Sequence, residues 1–132
     1  MAVFVDTSAF YAVLDKDDEN HVRGRDIWFR LLEQEQVLLT TNYVLIETCA
    51  ILQSRLGIAA LRGFHEDVAP VIQTVWIPER LHKSGVEAAL AASRKRFSVV
   101  DCISFQAMRE EGVQAAFCFD RHFAEQGFQI LP

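Results

Sequence analysis

The strongest constraint on the fold is a short, wholly apolar run at the start of the chain, AVFV at residues 2–5. A strand without alternating polar residues is buried on both faces, which is typical of a parallel sheet covered by helices. Similar runs recur at residues 37–40, 71–77, 114–119 and 128–131. The intervening segments have helical patterns, so the sequence predicts an α/β sandwich with a mainly parallel central sheet flanked by helices.

The helical segments are marked by apolar spacing and by residues that begin or end helices. We predict helices over residues 9–14, 21–36, 42–56, 58–68, 79–93 and 99–112. Thr7 and Ser8 are expected to cap the first helix and Ser98 the last, while Gly57 ends the third. No linker, repeat or low-complexity tract interrupts the pattern, so residues 1–132 are expected to form one domain.

The charge balance excludes a general polycation. The chain has 13 Lys and Arg residues against 18 Asp and Glu residues, a formal charge of −5. A nucleic-acid partner would therefore have to be held by a local basic patch or through metal ions.

The cysteines and the N-terminus indicate the cellular compartment. Cys49, Cys102 and Cys118 are widely spaced and form no zinc-type motif, so we expect reduced thiols in a cytoplasmic protein. The first residues lack a basic segment, and no apolar run approaches the roughly 20 residues that span a bilayer. Neither a signal peptide nor membrane association is expected.

Two acidic residues follow predicted strands. Asp6 comes directly after the first strand, and Asp120 directly after the strand predicted at residues 114–119. Ligands of parallel sheets bind beyond the carboxyl ends of the strands, so both carboxylates are expected at one edge. The alternative for each residue is a purely structural helix cap.

Glu47 lies within an apolar helix. The residues three and four positions away are all apolar or aromatic: Tyr43, Val44, Ala50 and Ile51. A charge on such a surface is costly unless it is paired or bound to a metal. The alternatives are that Glu47 marks the polar edge of an amphipathic helix or pairs with a distant arginine.

Asp101 follows Ser98 by three residues, a spacing that resembles a capping box and would by itself give Asp101 no function. However, Asp101 and Ser104 are one helical turn apart and share a face. A helix that begins near the strand ends would direct that face toward the same edge of the sheet.

Convergence of these four carboxylates predicts a metal site. Bare carboxylates about 4 Å apart repel by several kcal/mol at an effective dielectric constant near 20, so cations or bound protons are required. Oxygen ligands select hard ions, which indicates Mg²⁺ or Mn²⁺. Hydrolysis of a phosphodiester bond is a reaction that such ions support.

The motifs around these acids resemble those of a known family. Residues 5–9 (VDTSA), 42–48 (NYVLIET), 98–105 (SVVDCISF) and 119–123 (FDRHF) are similar, in order, to the four acidic motifs of the PIN-domain ribonucleases. The resemblance covers the whole chain and is strongest to the small single-domain group that includes the VapC-type toxins.

The resemblance implies a PIN-like fold and metal-dependent endonucleolytic cleavage of RNA by in-line hydrolysis, leaving a 5′-phosphate and a 3′-hydroxyl. The implied ligands of one or two Mg²⁺ or Mn²⁺ ions are Asp6, Glu47, Asp101 and Asp120. Asp6 and Asp101 are the firmest of these, since the corner around Asp120 varies among PIN domains. Hydrogen bonds that orient the carboxylates are expected from Thr7, Ser8 and Ser104.

The resemblance also implies partners. Family members commonly form homodimers, and toxins of this type are blocked by an antitoxin protein; a housekeeping RNA-processing nuclease is the alternative. RNA phosphates are expected to contact the basic residues Arg94, Lys95, Arg96 and Arg121. The equally simple alternative for residues 94–96 is a solvated turn. His122 adjoins Asp120, but a lone histidine more often serves packing or lies at the surface.

Three other classes of protein fit the pattern less well. A phosphate-accepting receiver domain needs a lysine after a late strand, and none of Lys16, Lys83 and Lys95 has that position. A haloacid-dehalogenase-type phosphatase needs a second aspartate where Ser8 stands. A non-catalytic binding module, with its acids used as caps and ion pairs, remains an alternative that metal titration separates from the enzymes.

Overall fold

Strands and helices alternate along the chain in the computed structural model, which describes residues 1–92 and 97–132. The strands are β1 (Ala2–Val5), β2 (Val37–Thr41), β3 (Gln73–Val75), β4 (Ala115–Phe117) and β5 (Gln129–Ile130). The helices are α1 (Thr7–Leu14), α2 (His21–Glu33), α3 (Asn42–Leu56), α4 (Ile58–Gly63), α5 (Glu79–Ala92), α6 (Val99–Glu111) and α7 (His122–Glu125). A π-helical turn (Phe64–Val68) and a 3₁₀ turn (Ala69–Val71) connect α4 to β3.

The sheet has the order β3-β2-β1-β4-β5, and each of the four pairings among the described strands is parallel. The α/β prediction is therefore confirmed, with a sheet that is parallel throughout its described strands. Because all strands point the same way, their carboxyl ends, and the loops that follow them, share one edge.

The core lies on both faces of the central strands. Val3 and Val5 of β1 have no exposed surface, and neither does Phe117 of β4. Ile103 of α6 is equally buried and packs against Gly85 of α5. This burial explains why β1 shows no polar alternation: helices cover the sheet on each side.

Three boundaries differ from the sequence prediction. α1 begins at Thr7, not Ala9, because Asp6 is its N-cap and accepts the backbone N–H of Ser8. α2 ends at Glu33, and Glu35 takes a positive φ of 52° in the turn before β2. The segment predicted as a helix over residues 58–68 is α-helical only to Gly63, after which it widens into the π-helical turn.

The later strands are shorter than predicted, and one helix was missed. β4 ends at Phe117, so Asp120 does not follow it directly; Cys118 and Phe119 intervene. α7 has four residues, too few for an apolar periodicity to be recognised. The predicted end of α5 at residue 93 lies outside the described residues.

The cysteines and the lengths of the apolar helices can be compared with the sequence prediction. Cys49, Cys102 and Cys118 are all free thiols, as predicted. No helix among the described residues is long and apolar enough to cross a membrane.

Candidate active site

Asp6 lies at the carboxyl end of β1 with only 4% of its surface exposed. Its backbone N–H donates to the carbonyl oxygen of Phe117 at 3.1 Å, which extends the β1–β4 pairing by one residue. Its Oδ2 accepts the Ser8 hydroxyl at 2.9 Å and the Ser8 backbone N–H at 3.3 Å. The carboxylate is thus fixed by the strand before it and by the first turn of α1.

Asp101 lies in the first turn of α6, where it closes a capping box. The Ser98 hydroxyl accepts the backbone N–H of Asp101 at 3.0 Å, and Asp101 Oδ2 accepts the backbone N–H of Ser98 at 3.2 Å. The same Oδ2 lies 2.9 Å from Nδ1 of His122. The capping role and the site role are therefore compatible, because the cap holds the carboxylate where His122 meets it.

Asp120 lies in the loop between β4 and α7. Its Oδ1 accepts the backbone N–H of His122 at 3.0 Å and lies 4.0 Å from Nδ1 of the same residue. One ligand atom from each of Asp101, Asp120 and His122 lies within 4.8 Å of the others, and no second such group occurs in residues 1–92 and 97–132.

Asp6 is electrostatically part of this cluster. Burial, followed by the negative charge of Asp120 and then that of Asp101, raises the pKa of Asp6 to about 7, against the opposing effect of the Ser8 hydrogen bonds. Burial and the charge of Asp101 likewise raise the pKa of Asp120, against the opposing effects of the His122 backbone hydrogen bond and the His122 side chain. The two carboxyl groups resist simultaneous ionisation, as expected when like charges share a site.

This donor set fits a hard divalent ion. Asp101 and Asp120 supply carboxylate oxygens, the ligand type that Mg²⁺ and Mn²⁺ prefer, and His122 adds one imidazole nitrogen. Asp6 is not in this group of ligand atoms within 4.8 Å, but its charge is coupled to both aspartates. A cation would remove the repulsion that raises the pKa of Asp6. The chemistry of the residues thus supports the predicted metal site.

Comparison with known proteins identifies the family. The family model described as the PIN domain matches residues 3–129. The chain belongs to the PIN-domain family. Family membership confirms the resemblance and removes the receiver and phosphatase alternatives.

Relatives of this PIN domain include a curated endonuclease. The chain is 31% identical, over 98% of each sequence, to the 23S rRNA-specific endonuclease VapC20 of Mycobacterium tuberculosis. The crystal structure of VapC20, a Sarcin-Ricin loop cleaving toxin, superimposes with a TM-score of 0.83 at 30% identity, covering 96% of this chain and 95% of VapC20. A chain of FitAcB from Neisseria gonorrhoeae shares the fold alone, with a TM-score of 0.69, 11% identity, and coverage of 100% and 97%.

Glu47 joins the site of this PIN domain indirectly. Its Oε1 accepts the Thr7 hydroxyl at 2.7 Å, and Thr7 in turn lies 3.4 Å from the hydroxyl of Thr48. Since Thr7 directly follows Asp6, Glu47 flanks the cluster but is not in the group of ligand atoms within 4.8 Å. The expected apolar surroundings are also incomplete, because Ile46 and Ala50 are exposed.

The residues expected to orient the carboxylates behave differently from one another. Ser8 bonds to Asp6 and Thr7 bonds to Glu47. The buried hydroxyl of Ser104, however, has no hydrogen-bond partner among the described residues, so it does not form the expected hydrogen bond with Asp101. A shared helical face brings two residues near each other but does not set the rotamer of a serine.

Of the basic residues expected to contact RNA, Arg121 is exposed directly before α7. Arg94, Lys95 and Arg96 lie outside the described residues. His122, whose sequence position alone favours a packing or surface role, contacts both Asp101 and Asp120. The sequence feature that could have indicated this contact is the position of His122 two residues after Asp120, at the predicted edge of the sheet.

Proposed function

We propose that this PIN domain is a Mg²⁺- or Mn²⁺-dependent endoribonuclease that acts as the toxin of a toxin–antitoxin pair. The observation that carries the proposal is the convergence of Asp101, Asp120 and His122, with Asp6 held beside them by β1 and Ser8. The 31% identity to a 23S rRNA-specific endonuclease over nearly the whole chain supports RNA, and ribosomal RNA first, as the substrate.

The chain's contribution to catalysis is chiefly to position the metal-binding groups. Asp6, Asp101 and Asp120 would hold the ion, with Glu47 supporting them from the flank through Thr7. Held by these residues, a divalent ion would supply a water molecule of lowered pKa and neutralise charge on the phosphate. The capping box and Ser8 fix the carboxylates before metal or substrate binds, which reduces the reorganisation needed during the reaction.

His122 has a separate place in this proposal. Its side chain is 35% exposed, so it lies at the mouth of the acidic cluster. Phe97 packs edge-on against its ring, with the ring centroids 5.3 Å apart, and holds the imidazole over Asp101.

The direct test is cleavage of purified ribosomal RNA with Mg²⁺, Mn²⁺ or excess EDTA. We expect cuts at defined positions with either metal, none with EDTA, and 5′-phosphate and 3′-hydroxyl ends on sequencing. Asp101→Asn should abolish the cuts, whereas Asp17→Asn, at an exposed loop residue, should retain them. Cleavage that survives EDTA, or that Asp101→Asn leaves at the normal rate, would contradict the proposal.

The partners are part of the same proposal. We expect a homodimer and an inhibitory antitoxin, acting in the cytoplasm where the RNA is found. Analytical sedimentation measures whether the protein is a dimer. Co-expression with the product of the neighbouring reading frame measures whether that product binds and inhibits the nuclease. A monomer removes the dimer assignment; a neighbouring product that neither binds nor inhibits favours a housekeeping nuclease.

A further inference from the structure

Trp76 lies at the same edge of the sheet as the acidic cluster. It directly follows β3, whose last residue, Val75, pairs with Thr41 at the end of β2. The order β3-β2-β1 places Trp76 two strands from Asp6, about 10 Å at the usual strand spacing of roughly 4.8 Å.

The exposure of Trp76 does not come from a loosely held backbone. Asn42, the first residue of α3, accepts the backbone N–H of Ile77 at 2.7 Å through its Oδ1. This bond fixes the residue that follows Trp76 against the end of β2. Trp76 is nevertheless 74% exposed, so the face of its ring is accessible at a fixed position and can stack on a flat partner.

Two further ring side chains are held next to this segment. The hydroxyl of Tyr43 forms a hydrogen bond with Nδ1 of His82, and the ring centroids are 5.8 Å apart at 67°. Tyr43 directly follows Asn42 and is one helical turn before Glu47, so it shares a face of α3 with that acid. We call Tyr43, Trp76 and His82 the aromatic platform.

We propose that the aromatic platform stacks unpaired bases of the RNA strand next to the phosphate that is cleaved. The inference deepens the proposed endoribonuclease function and rests on it. A π-face binds every base without needing positive charge, and each stacked base contributes substantially to binding of single strands.

The charges around the platform favour base stacking over binding of the phosphate backbone. The net charge of the chain is −5, so it cannot hold RNA by a broad positive field. The two basic side chains of α5 nearest His82 in sequence are already paired: Arg80 with Glu110 at 2.8 Å and Lys83 with Glu79 at 3.2 Å. The rings, which need no positive charge to bind a base, are therefore the groups on this side that fit an unpaired RNA strand.

Tryptophan fluorescence tests the platform without any cleavage. The chain has two tryptophans, and Trp28 is only 7% exposed, so a Trp28→Phe variant reports on Trp76 alone. In EDTA, a short single-stranded oligoribonucleotide should quench this emission, whereas an abasic strand with the same number of phosphates should not. Equal quenching by both strands, or by neither, overturns the proposal.

Cleavage kinetics provide the second test. Trp76→Ala should lower kcat/KM roughly 5- to 150-fold, mainly through KM, and leave the melting temperature unchanged, while Trp76→Phe keeps most of the activity. The matched control is Leu90→Ala, since Leu90 is 73% exposed near the far end of α5. A loss of less than twofold for Trp76→Ala overturns the proposal.

Two outcomes distinguish base stacking by the aromatic platform from self-association through Trp76 and from failure of the proposed nuclease function. If Trp76→Ala converts a dimer into a monomer and leaves RNA quenching and affinity intact, Trp76 is a self-association contact and the platform is wrong. If the wild-type protein cleaves no RNA, the proposed function fails, while the fluorescence titration still decides whether the platform binds bases.

Discussion

Ser8 accepts a hydrogen bond from the backbone N–H of Phe119 at 3.0 Å, although 111 positions separate the two residues in the chain. The same hydroxyl donates its proton to Asp6 at 2.9 Å. One side chain thus joins the end of β1 to the loop that carries Asp120. The relative position of these two carboxylates depends on this bridge.

Replacing Ser8 with alanine should loosen the bridge. Ser8→Ala leaves the backbone N–H of Phe119 without its acceptor and removes a bond that stabilises the ionised Asp6. We expect the free energy of unfolding to fall by about 1–3 kcal/mol and RNA cleavage to fall roughly 10- to 100-fold. Denaturant unfolding and initial cleavage rates measure the two effects. Ser54→Ala, at an exposed position of α3, is the control that should change neither.

Neutralising Asp6 should stabilise the metal-free protein and remove its response to metal. Burial and the charges of Asp120 and Asp101 disfavour the ionised form, so Asp6→Asn relieves repulsion in EDTA near neutral pH. In the wild type, millimolar Mg²⁺ or Mn²⁺ should raise the melting temperature by binding the folded state. We expect this shift to be lost in Asp6→Asn and kept in Asp17→Asn. A variant that retains the full shift would show that Asp6 is not a ligand.

The stability of the metal-free protein should depend on pH in a defined direction. The pKa of Asp6 rises from 3.8 in the unfolded chain to about 7 in the folded protein. The folded state therefore binds more protons between these values, and the free energy of unfolding falls as pH rises through this window, by up to about 4 kcal/mol. Urea titrations in EDTA from pH 4 to pH 8 measure the slope. Asp6→Asn should flatten it, and a stability that rises over this window in the wild type would contradict the assignment.

Gly85 should be intolerant of a side chain because α5 and α6 pack closely. An added Cβ would overlap Cγ1 and lie 3.3 Å from Cα of Ile103, which has no exposed surface. We expect Gly85→Ala to cost about 1–3 kcal/mol of unfolding free energy through overpacking, despite the better helix propensity of alanine. Thermal unfolding measures this loss.

A matched glycine tests that explanation. Gly63, at the end of α4, has no atom within 4 Å of an added Cβ and does not have a positive φ. Gly63→Ala should leave stability unchanged or raise it by up to about 1 kcal/mol. Because the clash involves one partner, Gly85→Ala combined with Ile103→Ala should cost less than the sum of the two changes. If the losses of unfolding free energy from the two substitutions simply add, the strain in Gly85→Ala does not come from its contact with Ile103.

The sequence located the acids better than it located their partners. Asp6 is predicted at the sheet edge because it follows an apolar strand of a parallel sheet, and Asp101 because it lies at the start of a helix that begins near the strand ends. His122 was undervalued because its contacts come from Asp101, 21 positions earlier, and from the turn around Asp120. The expected contact of Ser104 is absent because the rotamer of a buried hydroxyl depends on its packing.

The local sequence by itself determined the elements and their order, since apolar runs, caps and glycines act over a few residues. It thereby determined a parallel sheet with acidic residues at its carboxyl edge. Tertiary structure decided which groups meet there: Ser8 with Phe119, Thr7 with Glu47, and Asp101 with His122. These contacts depend on strand order, helix packing and side-chain rotamers, which arise only when distant segments are buried against one another.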